Sequence, residues 1–250
     1  MNIIWHGQSC FEIIATPAKN SQIKIVTDPF SEEIGLKTPK LEADIVLVTH
    51  NHYDHNSVKA VSGNPFLISG PGEYEIKNVF IQGIASPVAE TLPHLSKRSK
   101  GRETNEVQPT PLRPAPRCSA HDDKKGKERG ENAIYTIEAE DLKLCHLGDL
   151  GQKELTEEQL EKIGEIDILM IPIGGAYTVS TKEALKIMAQ IEPKITIPMH
   201  YALPKLKIKL DGLDKFLKSL GIRSIEPLPK LTIKQKDILT EEAKIVVLKP

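Results

Sequence analysis

Apolar and polar residues alternate in short runs along the first third of the chain. Residues 2–5 and 10–15 are β-prone, and Gln22–Thr27 alternates polar with apolar before stopping at Asp28-Pro29. That period of two predicts strands with one face in a core. Asp44–Thr49 (D-I-V-L-V-T) is a continuous apolar run, the pattern of a strand buried on both faces. Strands are also predicted at 66–69, 73–77 and 79–84, broken by Gly70-Pro71-Gly72.

The second half alternates strands with helices. Strands are expected at 132–138 and 142–146, followed by a helix near 155–163 with Thr156 and Gln159 as its capping box. A buried strand follows over Ile166–Ile173, then a helix near 181–191 with Ser180 and Glu183 as a second box. The strand Lys194–Met199 leads to a helix near 212–219 capped by Asp211, and strands near 230–234 and 243–249 close the chain. The order implies an α/β domain of stacked sheets with helices outside.

Between Pro87 and Cys118 the pattern stops. Six prolines and scattered Lys, Arg, Ser and Thr carry no apolar period, which predicts a flexible insertion at about 87–118 within one domain spanning residues 1–250. It is either a disordered loop or a substrate-gating lid.

Composition narrows the function classes. With 39% hydrophobic residues in 250 there is material for a substantial core, and at 4% aromatic that core rests on Ile, Leu, Val and Ala. The net charge is −1, from 33 basic and 34 acidic residues. It supplies no broad positive field for nucleic acid, so a small-molecule substrate is the expected partner. A homo-oligomer is compatible with everything in the sequence. Cys10, Cys118 and Cys145 are an odd number at wide spacing, as in reduced thiols of a cytoplasmic protein. No secretory signal and no membrane-length apolar run is visible.

The chemistry lies at residues 49–56, T-H-N-H-Y-D-H-N, where three histidines and an aspartate fall within six positions. Imidazole nitrogen and carboxylate oxygen suit zinc and similar divalent ions, and a preceding buried strand gives them a rigid base. A merely solvated loop offers no reason to concentrate this residue type. More donors follow two further apolar strands: His146-Leu147-Gly148-Asp149 after 142–145, and His200 after Ile195–Met199.

H-x-H-x-D-H, then an isolated His, G-D and a late His after a strand, resembles the metallo-β-lactamase superfamily. W-H-G-Q-S-C-F, T-D-P-F, H-L-G-D-L-G, I-P-I-G-G and P-M-H-Y are similar to the branch containing ascorbate-6-phosphate lactonase and its uncharacterised relatives. The resemblance implies a four-layer αβ/βα sandwich and a metal-dependent hydrolase. Its two divalent ions are Zn first, with Mn or Fe as alternatives. His50, His52 and His121 would bind one ion, and Asp54, His55 and His200 the other, with Asp149 bridging. His94 is a second candidate for the third ligand, but His121, whose flanks lead into a strand, is favoured. Asp28 would orient a ligand histidine, or else merely cap a turn before Pro29. His6 and His146 are either supporting donors near the site or buried histidines satisfied by backbone.

The implied reaction is hydrolysis of a small-molecule ester, lactone or phosphoester by activated water. Asp54 would accept a hydrogen bond from that water, and Tyr201 and His146 are candidate proton donors to the leaving group. A metal-dependent nuclease and a non-catalytic metal-binding module are the alternatives.

Overall fold

The computed structural model describes residues 1–18, 21–88, 131–238 and 242–250. Strand β1 (Asn2–Gly7) turns tightly into β2 (Cys10–Ala18), and β3 (Ser21–Thr27) adds antiparallel to β2. Beyond β3 the pairing becomes parallel, with β5 (Ile45–Leu47) and β7 (Phe66–Ile68) added in turn, while β4 (Leu41–Glu42) and β6 (Val61–Ser62) form a separate pair.

A second sheet begins with the antiparallel strands β8 (Gly72–Ile76), β9 (Val79–Pro87), β10 (Glu131–Ala139) and β11 (Leu142–His146). It continues in parallel through β12 (Ile168–Pro172), β13 (Ile195–Met199) and β15 (Lys244–Ile245). Near the C-terminus β14 (Leu231–Thr232) returns to the first sheet beside β1. The spatial orders are β14-β1-β2-β3-β5-β7 and β15-β13-β12-β11-β10-β9-β8.

The core follows from the alternation. Ile3 and Trp5 of β1, Ile13 of β2 and Ile25 of β3 share one buried cluster with Ile81, Ile134, Ile137 and Leu144 of the second sheet. Every residue of β12 and β13 is buried, so helices must cover their other face. Helices α1 (Glu157–Ile163), α2 (Thr181–Ile191) and α3 (Leu213–Ser219) do so through Ile163, Ala184, Ile187, Ile191 and Phe216. Each large aliphatic side chain so enclosed contributes roughly 1.5–3 kcal/mol.

Both expected capping boxes form, at Thr156/Gln159 and Ser180/Glu183. Asp211 does not cap α3; Gly212 holds that position, and the Asp211 carboxylate accepts from Lys215 Nζ.

The expected mixed α/β architecture of stacked sheets is therefore present. The two sides are unequal. The outer face of the first sheet packs Val26, Val46 and Val48 against Phe30, Ile34, Leu41 and Val61, carried by connecting segments and two short 3-10 turns. Among the described residues the remaining helix is the four-residue α4 (Gln235–Ile238). Apart from Pro87 and Val88, the Pro-rich insertion lies outside the described residues, as do His94, Cys118 and His121.

The strand directions position the site. Strands β3, β5, β11, β12 and β13 are joined by parallel pairing within each sheet. The chain leaves them at Asp28, at Thr49–His50 just past β5, at Asp149 and at His200, all on carboxyl-terminal ends.

Candidate metal centre

The turn after β5 is wound tightly, with His55 and Asn56 N–H both donating to the His52 carbonyl at 2.9 Å. It is anchored by Asp28, which is fully buried and has a left-handed φ of 41°. The Thr49 N–H donates to Asp28 Oδ1 at 2.8 Å and the Thr49 hydroxyl to Oδ2 at 2.9 Å. Because that hydroxyl proton is committed, Thr49 Oγ1 accepts from His50 Nδ1 at 3.2 Å. His55 Nδ1 lies 3.1 Å from Asp28 Oδ2. A proton on Nδ1, bonded to Thr49 in His50 and drawn toward the nearby Asp28 carboxylate in His55 without hydrogen-bond geometry, leaves Nε2 of both rings free to face the carboxylates, the arrangement that metal-binding histidines require.

Asp149 comes to the same place from the second sheet. Its N–H donates to Asn132 Oδ1 at 3.0 Å, while Asn132 Nδ2 donates to the Leu147 carbonyl at 3.0 Å and to Ser86 Oγ at 2.8 Å. Gly148 makes this approach feasible. Its φ is +56°, and a Cβ there would lie 2.3 Å from Asn132 Oδ1 and 2.7 Å from Thr49 Cβ. Past β13, His200 takes φ 50°.

The donors fall into two groups that share Asp54. One comprises Asp54, His55, Asp149 and His200, all buried; the other comprises His50, His52 and Asp54. Asp149 Oδ1 is 3.2 Å from His55 Nε2 and 3.4 Å from His200 Nε2, whereas Oδ2 faces His50 Nε2 at 3.9 Å. Asp54 is similarly divided, with Oδ1 against His52 Nδ1 and Oδ2 3.6 Å from His55 Nε2 and 3.9 Å from His200 Nε2.

Charge within the cluster is strongly coupled. Burial opposes ionisation of Asp54 and Asp149, yet the neighbouring histidines hold both carboxyls well below the usual carboxylate range. Burial opposes protonation of His55 too, but Asp149, Asp28 and Asp54 together push its pKa far above the ordinary imidazole value. His50 is driven the other way, down to about 4, by burial and then by His55.

Several buried atoms have no hydrogen-bond partner, including Asp149 Oδ1, both His55 nitrogens and His200 Nδ1. Buried polar atoms are rarely left so. A divalent cation would answer two of these vacant valences, Asp149 Oδ1 and His55 Nε2, and a set of imidazole and carboxylate donors suits zinc or a similar first-row ion.

His50, His52, Asp54, His55, Asp149 and His200 thus converge, with Asp28 behind them. Three other residues stand apart from the donors, and His146 takes the second of its two expected roles, a buried histidine satisfied by backbone, and not that of proton donor. His146 is fully buried with both nitrogens engaged by backbone: Gly148 N–H donates to Nδ1 at 3.2 Å, so Nε2–H is directed to the Ser9 carbonyl at 2.9 Å. That leaves no proton for a leaving group. Tyr201 places its ring in the core, 5.0 Å from Trp5, and burial raises its hydroxyl pKa. His6 faces Glu12, with Nε2 3.6 Å from Oε2, instead of backing a ligand.

One residue was missed. Gln8 is fully buried, and its Nε2 lies 3.3 Å from Asp54 Oδ2 and 3.4 Å from His200 Nε2. At the rim, the half-exposed Tyr53 ring stands 4.4 Å from His52.

The chain is similar to several known proteins. A family model described as a beta-lactamase superfamily domain matches residues 2–200. A metal-dependent hydrolase from Thermococcus onnurineus is 31% identical over 78% of this chain and 82% of its own. A crystal structure from Thermotoga maritima, of a proposed Zn-dependent hydrolase of the metallo-beta-lactamase superfamily, is 32% identical. It superposes with a TM-score of 0.68, covering 99% of this chain and 97% of that one. An isothiocyanate hydrolase from Delia radicum gut bacteria, 10% identical with a TM-score of 0.57, shares the fold.

Proposed function

Since the chain belongs to the beta-lactamase superfamily and is a metal-dependent hydrolase, we propose that it uses two divalent cations to hydrolyse a small-molecule ester, lactone or phosphoester. The observation that carries this reading is the pair of donor groups joined through Asp54. Asp54, His55 and His200 would hold one cation, His50 and His52 the other, and Asp149 presents one carboxylate oxygen to each set. His121, the expected third ligand on the His50 side, lies outside the described residues. Zinc is the first choice for these donors, with manganese or iron as alternatives.

When bound, such cations supply Lewis acidity, lowering the pKa of water and polarising a carbonyl or phosphoryl oxygen. The protein's own part is orientation and charge. Asp28 and Thr49 fix the ring tautomers of His50 and His55. Asp54 and Asp149 stay ionised at neutral pH and balance cationic charge. Tyr53 offers an apolar face to substrate at the rim. Cys10 and Cys145 are buried free thiols, which supports a cytoplasmic setting.

The test is elemental analysis of purified protein alongside a chromogenic screen of esters, lactones and phosphodiesters. About two metal equivalents per chain are expected. His50→Ala and His200→Ala should each lower occupancy and abolish turnover. Full activity in protein that holds no metal overturns the proposal.

A further inference from the structure

Gln8 is the first of the two residues that turn β1 into β2, with Gly7 opposite Cys10, and its φ is 50°. Hairpin turns place Gly, Asn or Asp at such a position, and a longer side chain is strained there by about 1 kcal/mol or more. The strain is held by two bonds to one atom: the Gln8 carbonyl accepts from Trp5 Nε1 at 2.9 Å and from the His200 N–H at 3.1 Å. The backbone of Gln8 therefore helps set the left-handed conformation that presents His200. Its side chain enters the same space.

We propose that the Gln8 carboxamide supplies an oxygen ligand to the cation held by Asp54, His55, Asp149 and His200. This rests on the metal-site reading above and adds a neutral donor to it.

Two donors bound to one ion at roughly 2.1 Å stand about 3.0–3.5 Å apart. The Gln8 amide terminus is 3.3 Å from Asp54 Oδ2 and 3.4 Å from His200 Nε2. His55 Nε2 and His200 Nε2 stand 3.2 Å and 3.4 Å from Asp149 Oδ1. Gln8 sits at the spacing of the ligands themselves.

Hydrogen-bond accounting then decides which amide atom faces the ion. Without an ion the amide nitrogen donates to Asp54 Oδ2 at 3.3 Å and faces His200 Nε2 at 3.4 Å. Once both of those atoms bind a cation, His200 Nε2 has no lone pair left to accept and the N–H groups point their positive ends at positive charge. Gln8 Oε1, meanwhile, is buried with no hydrogen-bond partner. Oxygen and nitrogen of a carboxamide occupy nearly the same volume. A half-turn about Cγ–Cδ brings the oxygen to ligand spacing without moving the backbone. The resulting set has two imidazole nitrogens and three oxygens, which widens the choice of ion toward manganese and iron.

The experiment titrates chelator-stripped protein with Co(II), following affinity and the visible absorption of the bound ion. Wild type, Gln8→Leu and Gln8→Glu are compared after thermal unfolding shows that each stripped variant is folded. Gln8→Leu should weaken one cobalt site by about 10- to 100-fold and intensify the visible band as the coordination number falls. Gln8→Glu, which has oxygens but no N–H, should keep wild-type affinity and band shape. Wild-type cobalt binding by Gln8→Leu overturns the proposal. So does a Gln8→Glu variant that binds as weakly as Gln8→Leu, since the amide would then act through its N–H. Should Gln8→Leu fail to fold, the Gln8→Glu spectrum alone decides. Wild type taking up only one equivalent would defeat the two-cation reading, while the variant comparison at that one site would still judge Gln8.

Discussion

Asp28 and Thr49 are joined twice, main-chain N–H to Oδ1 and hydroxyl to Oδ2, at 2.8 and 2.9 Å. Through this pair one buried carboxylate fixes the entry to the His-rich turn and the ring of His55 together. Asp28→Ala should therefore strand a buried N–H and release two histidines. We expect a loss of stability of about 1–3 kcal/mol and a fall in metal affinity of about 10- to 100-fold. Metal titration of the stripped variant checks this, and wild-type affinity would refute the anchoring role.

Gly148→Ala tests the approach of Asp149. The added methyl would meet Asn132 Oδ1 at 2.3 Å on a backbone at φ +56°, so Asp149 must shift. Overpacking of this kind costs about 1–3 kcal/mol. The expected result is a lower Tm together with reduced metal content. Metal content equal to wild type would show that Asp149 tolerates displacement.

His146 gives a pH prediction. Burial holds its pKa below the ordinary value of 6.5, so the unfolded chain takes up a proton near that pH while the folded chain does not. Stability is therefore fully present above pH 6.5 and is lost as pH falls below it toward the folded value. In metal-loaded protein, His146→Gln should be less stable at pH 7.5 and lose less Tm between pH 7.5 and 5.5 than wild type. An unchanged slope would assign the acid sensitivity elsewhere.

Ser180→Ala is a control on a distant element. It removes one half of the capping box on α2, where the Ser180 side chain accepts from Glu183 N–H. The cost should be about 1 kcal/mol in chemical denaturation, with metal content and turnover unchanged. A loss of metal would mean that α2 is coupled to the centre.

The legible residues were those whose role follows from a strand ending. His50 to His55, Asp149 and His200 each come just after an apolar run, so a common sheet edge could be read from alternation alone. His146 misled because the strand pattern does not say which face its last residue takes. In the fold its ring lies edge-on to Phe11 and is satisfied by the Ser9 carbonyl. Gln8 stands inside the W-H-G-Q-S-C-F motif but no role could be read for it, since its significance depends on a turn conformation and on partners 46 and 192 positions away. The Asp211 cap failed because Gly212 could take the extended cap backbone while the carboxylate was drawn to Lys215.

The Gln8 carbonyl clasps an indole three positions upstream and an amide 192 positions downstream. The second of these bonds ties the first hairpin of the chain to residue 200, so it cannot form before that residue has been made. Chains truncated before residue 200 lack both His200 and this tie, and on the proposed function they should retain less metal than the full chain.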